Sequence, residues 1–240
     1  MKHIKSYNNI SEGKLQNTAK KYLDYYYLKD DISLTSVREM YELIEDNSYR
    51  GFATFADKIE HFEDLDCIKI ALMNYPPVRF TKRTFKEQFQ ALKDISNIVD
   101  EVEFPWDKKY LKWGKEHWRN IVLESISSGL VLRPMLELGL NSIEDVKADI
   151  EFLNSVGIRS IMTSSGLYPE ITTIEKWEEI KGFLPRIFEV KVGGILTLKD
   201  VNKFLDSDVD LAATTISIAT VYGMDNNDDD DEWTIPTNYN

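Results

Sequence analysis

Four charged side chains sit inside runs that otherwise read as β-strand. They are Asp24 in YLDYYYL, Glu103 in IVDEVEF, Arg133 in LVLRPMLEL and Lys191 in RIFEVKV. An unpaired buried charge is costly, so such residues are paired with one another or lie at solvated strand ends. Two carboxylates could act as general acid and base, and a lysine amine could attack a carbonyl to form an imine. Desolvation and the charge of Arg133 would both lower the pKa of an inward Lys191 and favour that chemistry. Other β-like runs end in small or polar residues, as strands do when they deliver a loop to a ligand. IMTSSG supplies Met162, Thr163, Ser165 and Gly166; KVGGILT supplies Gly193 and Gly194. Asn74, Glu137, Thr214 and Thr215 close three further runs. Backbone amides near the glycines, with the hydroxyls of Ser165, Thr214 and Thr215, could cradle a phosphate.

The elements that must position these residues alternate in type. Eight short β-rich runs are read at 22–28, 50–55, 67–75, 98–104, 130–138, 158–164, 186–192 and 209–215. Between them, apolar residues recur at helical spacing, which buries one side of a surface helix. Val37, Met40, Tyr41 and Ile44 share a face, as do Phe85, Phe89 and Leu92. Tyr110, Trp113, His117, Trp118, Ile121 and Val122 form a third stripe, followed by Ile143, Val146, Ile150 and Leu153. The last two are Ile174, Trp177, Ile180 and Leu184, then Leu198, Val201, Phe204 and Leu205. These aromatics are core residues rather than a cofactor box. Ser36 with Glu39 and Thr172 with Glu175 have capping-box spacing. Ser142 with Asp145 and Thr197 with Asp200 place an acid in a first turn, where the helix dipole favours it. Eight β units joined by helical crossovers predict a parallel sheet and, closed on itself, a single α/β domain: a (β/α)8 TIM barrel. A doubly wound open sheet is the alternative, but no GxGxxG follows an early strand. The barrel is expected over 20–223, after an N-terminal segment at 1–19 and before a short acidic C-terminal tail at 224–240.

Charge and composition exclude several functions. The formal net charge is −12, from 29 Lys plus Arg against 41 Asp plus Glu, which gives no electrostatic reason to seek nucleic acid or an anionic membrane. DNNDDDDE at 225–232 lacks the ligand pattern of an EF-hand and reads as a solvated, flexible tail. Three scattered histidines and one cysteine, Cys67, predict no metal site and no intrachain disulfide. Neither a signal peptide nor a membrane span is apparent, so the expectation is a soluble cytoplasmic protein.

The order of segments resembles one family, the deoxyribose-phosphate aldolases. YLDYYYLKDD resembles its first strand, with Asp24 as the active-site aspartate. KIALMNYPP is similar to the third strand and its Asn-aromatic-Pro, and VDEVEFPW to the fourth, with Glu103 where the family keeps a catalytic aspartate. LRPMLELG is similar to the fifth, with Arg133 at a lysine position and Glu137 at a glutamate. MTSSG, KVGGILT and DLAATT resemble the sixth, seventh and eighth. The resemblance covers most of 20–217 and implies a class I lyase that cleaves 2-deoxyribose 5-phosphate through a lysine imine, without a cofactor.

Departures from that pattern fall on the chemistry. The Schiff-base lysine precedes Thr-Ser-x-Gly in the family, and Met162 stands there in this chain. Leu167 and Leu196 replace a lysine and an arginine, and Ala213 replaces the eighth-strand glycine that approaches the phosphate. The family's second lysine lies three residues before Gly-Gly, a position held here by Val190. Lys191 follows one residue later, and a one-residue offset turns a strand side chain to the opposite face; a bulge would bring it back inside. The resemblance therefore implies a degenerate barrel that has lost imine chemistry and serves as a binding or interaction scaffold. The alternatives are a lyase that uses Lys191, with Asp24 and Glu103 as proton relays, and a binder or enzyme for an unphosphorylated small molecule. An open polar mouth favours the last, whereas a mouth plugged by Met162 and aromatic neighbours favours the scaffold. Family members often dimerise, which implies a homodimer or another protein partner. Some use a C-terminal tyrosine; Tyr239 is read here as an ordinary tail residue.

Overall fold

In a computed structural model of the chain, residues 23–28, 32–47, 49–73, 81–165, 168, 172–195, 204 and 216–221 are described. Seven parallel strands follow one another in sequence order: β1 Leu23–Tyr27, β2 Gly51–Phe55, β3 Ile68–Leu72, β4 Glu101–Pro105, β5 Val131–Met135, β6 Ser160–Met162 and β7 Glu189–Ile195. β8, Ile216–Val221, pairs in parallel with both β7 and β1, which completes the ring in the order 1 to 8. Among the described residues, five α-helices cross between strands: α1 Leu34–Asn47, α2 Lys82–Asp94, α3 Lys115–Ser127, α4 Ile143–Val156 and α5 Ile174–Lys181. The alternation of type and the parallel pairing are those of an α/β barrel.

The expected eighth strand at 209–215 lies outside the described residues, and the strand observed beside β1 begins at Ile216. The N-terminal segment, the acidic tail, Tyr239 and the Thr197–Asp200 signal are likewise outside them. Two start signals are corrected. Ser36 lies inside α1, and the reciprocal bonds run between Ser33 and Ser36 (3.0 and 3.1 Å). In α5 the capping oxygen belongs to Thr173, which accepts from Lys176 N at 3.3 Å, while Thr172 Oγ1 is committed to Ser164 Oγ at 2.8 Å. Asp145 lies in the first turn of α4 as expected, and Ser142 caps that helix, accepting from Asp145 N at 3.2 Å. The stripe begun at Tyr110 is two elements. Gly114 at φ 88 ends a 3-10 helix, Lys108–Trp113, and a separate α-helix starts after it. A positive φ of that kind suits glycine and breaks the helical path.

Alternation along each strand divides the buried residues in two. Tyr27, Phe52, Ala71, Val102, Phe104, Leu132, Ile161, Val190 and Val192 pack outward against the helices, in one large core. Phe85 and Trp118 stack edge-on there (centroids 5.3 Å apart), and Phe85 meets Phe104 at 5.2 Å. Tyr26, Ala53, Ile70, Leu72, Met135 and Met162 form a second buried cluster on the other face of the strands, inside the ring. In a barrel that interior is packed rather than hollow.

Two glycines let the interior close. A Cβ at Gly51 would stand 2.8 Å from Asp24 Oδ1 and 2.9 Å from the Ile68 carbonyl oxygen; one at Gly193 would collide with the Ser164 carbonyl and the Met162 side chain. Gly51→Ala and Gly193→Ala are each expected to cost about 1–3 kcal/mol through overpacking, measured as a lower urea midpoint with unchanged slope. Unchanged midpoints in both variants would mean that the strands do not approach as closely as described.

Candidate functional site

Asp24, Glu103, Arg133 and Lys191 all face the interior and meet in one ion network. Lys191 is fully buried, and its Nζ lies 2.5 Å from Asp24 Oδ2, 2.5 Å from Glu103 Oε1 and 3.1 Å from Glu101 Oε2. Arg133, also fully buried, sets Nε 3.2 Å from Glu101 Oε2 and Nη2 3.2 Å from both Glu101 Oε1 and Glu189 Oε1. Arg50 grips Asp24 with two bonds of 2.7 and 2.5 Å and reaches Glu101 Oε1 at 3.1 Å. Tyr26 covers the network, its hydroxyl donating to Glu103 Oε2 at 2.6 Å and standing 3.6 Å from Met162 Sδ.

The inward placement of Lys191 corrects the expectation drawn from its offset. Lys191 pairs in register with Met162, and Val190 and Val192 take the outer face. The irregularity that permits this lies between Val192 and Ile195, where β7 shifts its register against β8. The distance from a lysine to the Gly-Gly pair therefore does not fix which face the lysine occupies.

Its protonation is corrected too. Burial pulls the Lys191 pKa down and Arg133 adds to that, but Asp24, Glu101 and Glu103 together outweigh both, and the pKa is raised. Lys191 is a held ammonium, not an activated amine. Glu101 is the counterpart: burial pushes its carboxyl up, yet Lys191, Arg133 and Arg50 hold it well below the usual carboxylate range. Asp24, Glu101 and Glu103 each offer an oxygen within 4.8 Å of the others, a spacing a cation could use. The Lys191 ammonium already sits among them.

The remaining candidates occupy the C-terminal ends of the strands. Thr163 Oγ1 accepts from Gly193 N at 3.0 Å, and Ser165 N donates to Glu137 Oε1 at 3.0 Å. Gly194 lies within β7. Asn74, Gly166, Thr214 and Thr215, with Leu167, Leu196 and Ala213, fall outside the described residues. Sequence reasoning missed Glu101, Arg50, Tyr26 and Glu189. The signal for two of them was period two: Glu101 shares a face with Glu103, and Tyr26 with Asp24.

The sequence matches no protein-family model and no curated protein. Solved structures are similar in fold. QR15, an aldolase, superposes with a TM-score of 0.67 at 19% identity, over 85% of this chain and 90% of its own. A deoxyribose phosphate aldolase from Aeropyrum pernix, described as a tetramer, gives 0.66 at 16% identity, over 85% and 87%. A protein from Toxoplasma gondii, provisionally assigned as a deoxyribose-phosphate aldolase, gives 0.69 at 17% identity, over 87% and 93%. Deoxyribose-phosphate aldolases are thus among the structural neighbours of this chain.

Removing one partner of a buried ion network leaves uncompensated charge and costs about 3–5 kcal/mol. Lys191→Met is expected to lose that much stability near neutrality. The pH dependence has a defined sign. The depressed Glu101 contributes stability above about pH 4.3, its ordinary pKa, and the raised Lys191 contributes below about pH 10.4, so both act at neutrality. Without Lys191, one buried carboxylate takes a proton, and the deficit shrinks as the pH falls towards about 5. Chemical denaturation of both proteins across that range checks this; a deficit independent of pH would remove charge pairing as its cause.

Proposed function

We propose that this chain is a complete (β/α)8 barrel of the deoxyribose-phosphate-aldolase type that no longer runs imine chemistry and serves as a binding or interaction scaffold. The observation that carries this reading is the state of Lys191, whose ammonium is fully buried and bonded to Asp24, Glu101 and Glu103. An imine requires a neutral amine, and each unit by which the pKa exceeds the ambient pH leaves ten times less of it. Access adds to the argument. Met162, Tyr26, Met135 and Leu72 are all buried inside the ring with the network, which supports the filled interior expected of a scaffold. At the sixth-strand position a thioether replaces the amine and cannot attack a carbonyl. The members of the network with some solvent exposure are Arg50 and Glu189, at the N-terminal ends of their strands, whereas barrel chemistry is performed at the C-terminal face.

One observation favours a second reading. Lys191 does face inward beside Asp24 and Glu103, as a relocated nucleophile with two proton relays would. No helix among the described residues is long and apolar enough to cross a membrane, and a cytoplasmic setting, with a homodimer or another protein partner, belongs to the proposal.

Imine trapping separates the two readings. The protein is incubated with acetaldehyde, and separately with 2-deoxyribose 5-phosphate, in the presence of cyanoborohydride, then read by intact mass and peptide mapping. The expected result is scattered labelling of exposed lysines only. A stoichiometric adduct on Lys191, lost in Lys191→Ala, would establish the lyase reading instead.

A further inference from the structure

Glu137 is the only non-glycine residue with positive φ among the described residues, at φ 50. The left-handed conformation costs an ordinary side chain about 1–2 kcal/mol, and such outliers persist where the surroundings over-determine them. Here they do. Leu140 N and Asn141 N both donate to the Glu137 carbonyl, at 3.0 and 3.1 Å, and Asn141 Nδ2 donates to the Leu136 carbonyl at 2.7 Å. From α5, Lys176 Nζ donates to the carbonyls of Leu138, Gly139 and Asn141 at 2.5, 3.0 and 3.3 Å. The turn after β5 is thereby locked to its neighbours, and Leu138 N is bonded to the Thr163 carbonyl at 2.8 Å.

The carboxyl that this turn presents is only half used. Glu137 is 7% exposed; Oε1 accepts from Ser165 N, while Oε2 is buried with no partner. A buried acceptor left unmade costs about 1–3 kcal/mol. The backbone bond from Ser165 takes Oε1 and leaves Oε2 available to another partner. Burial raises the carboxyl pKa against the opposing bond from Ser165, which favours a form able to donate as well as accept.

We propose that Glu137 anchors a subsite for a small uncharged polyol at the C-terminal ends of β5 and β6. The chemistry around it selects that class. Thr163 Oγ1 is occupied as an acceptor by Gly193 N, which leaves its hydroxyl hydrogen to donate. A ligand hydroxyl both donates and accepts, so adjacent hydroxyls can meet Glu137 Oε2 and Thr163 together. The cations nearby are already committed: Lys176 to three carbonyls, Lys191 and Arg133 to carboxylates. An anionic group would find the Glu137 carboxyl and no described cation to offset it. Met135 and Met162 lie one layer deeper, buried and apolar, a floor suited to the carbon side of such a molecule. The inference stands on the strain and the unpartnered oxygen, independently of the protonation of Lys191.

Methionine-methyl NMR tests it. Protein labelled with carbon-13 at its methionine methyls is titrated with erythritol and ribitol, and with ethanolamine and inorganic phosphate as controls. Saturable shifts of Met135 and Met162 are expected with a polyol only. Glu137→Asn keeps a residue tolerant of the left-handed turn but replaces the carboxyl by an amide one methylene shorter, so the fold should persist while the affinity falls about tenfold, or 1.4 kcal/mol. Three results would each overturn the proposal: no saturable polyol shift in the wild type, equal affinity in Glu137→Asn, or saturation by ethanolamine or phosphate instead. Trapping at Lys191 is read separately, so failure here leaves the scaffold proposal standing, and the reverse holds.

Discussion

The ammonium of Lys191 binds strands that are far apart in the chain. It reaches from β7 to Asp24 on β1 and to Glu101 and Glu103 on β4, and so ties opposite arcs of the ring across the interior. Pairing along the sheet joins each strand only to its neighbours, whereas this contact spans the ring directly. Its geometry constrains what surrounds it. Gly51 must lack a side chain so that Asp24 can stand between Arg50 and Lys191. β7 must shift register after Val192 so that its next turn closes over Met162. Tyr26 must direct its hydroxyl at Glu103. None of these choices is local, and each follows from a charge placed where water is excluded.

Charge counting explains why such a network is tolerated. Asp24, Glu101 and Glu103 are met by Arg50, Arg133 and Lys191, three against three, with Glu189 as a partly exposed partner at the edge. A charge-balanced group loses much of its hydration but regains most of it in fixed contacts, Arg133 Nη1 being the atom left without a partner, and the net gain over an apolar core of equal volume is small or negative. Its value lies in specificity. A barrel interior filled only with Leu and Ile could slide by two residues along any strand without changing character, while a six-charge network fits in one register.

The sequence conveyed the fold well because period and order are properties of neighbours. The apolar stripes of α2 and α4 and the first-turn acid Asp145 of α4 were all legible from residues within two turns. The interior was legible only in part. Charges inside β runs made Asp24, Glu103, Arg133 and Lys191 candidates for mutual pairing, with solvated strand ends as the alternative, and the structure brings those four together. The direction of Lys191 was not legible, because a bulge is set by the partner strand and the Gly-Gly backbone rather than by spacing. Its protonation was misjudged for a related reason. Desolvation and Arg133 were in view, but Glu101 and Arg50 had not been placed, and three carboxylates around one amine reverse the sign. The strain at Glu137 had no signal at all, since a glutamate in LELG reads as an ordinary strand end.

The two lysine positions of the barrel are therefore not independent. Met162 and Lys191 are register partners on adjacent strands, with backbones about 4.8 Å apart. In an imine-forming barrel a second cation near the nucleophile makes the neutral amine easier to reach. Neither position meets that condition here. The thioether at 162 cannot be activated by any neighbour, and the ammonium at 191 is surrounded by more negative than positive charge. An amine placed at position 162 would lie beside Tyr26 and the Glu103 carboxylate that Tyr26 contacts. That carboxylate favours the protonated form and works against the repulsion from Lys191. Imine formation at either position would require the surrounding charge to differ, because Asp24, Glu101 and Glu103 bear on the protonation of any amine placed among them.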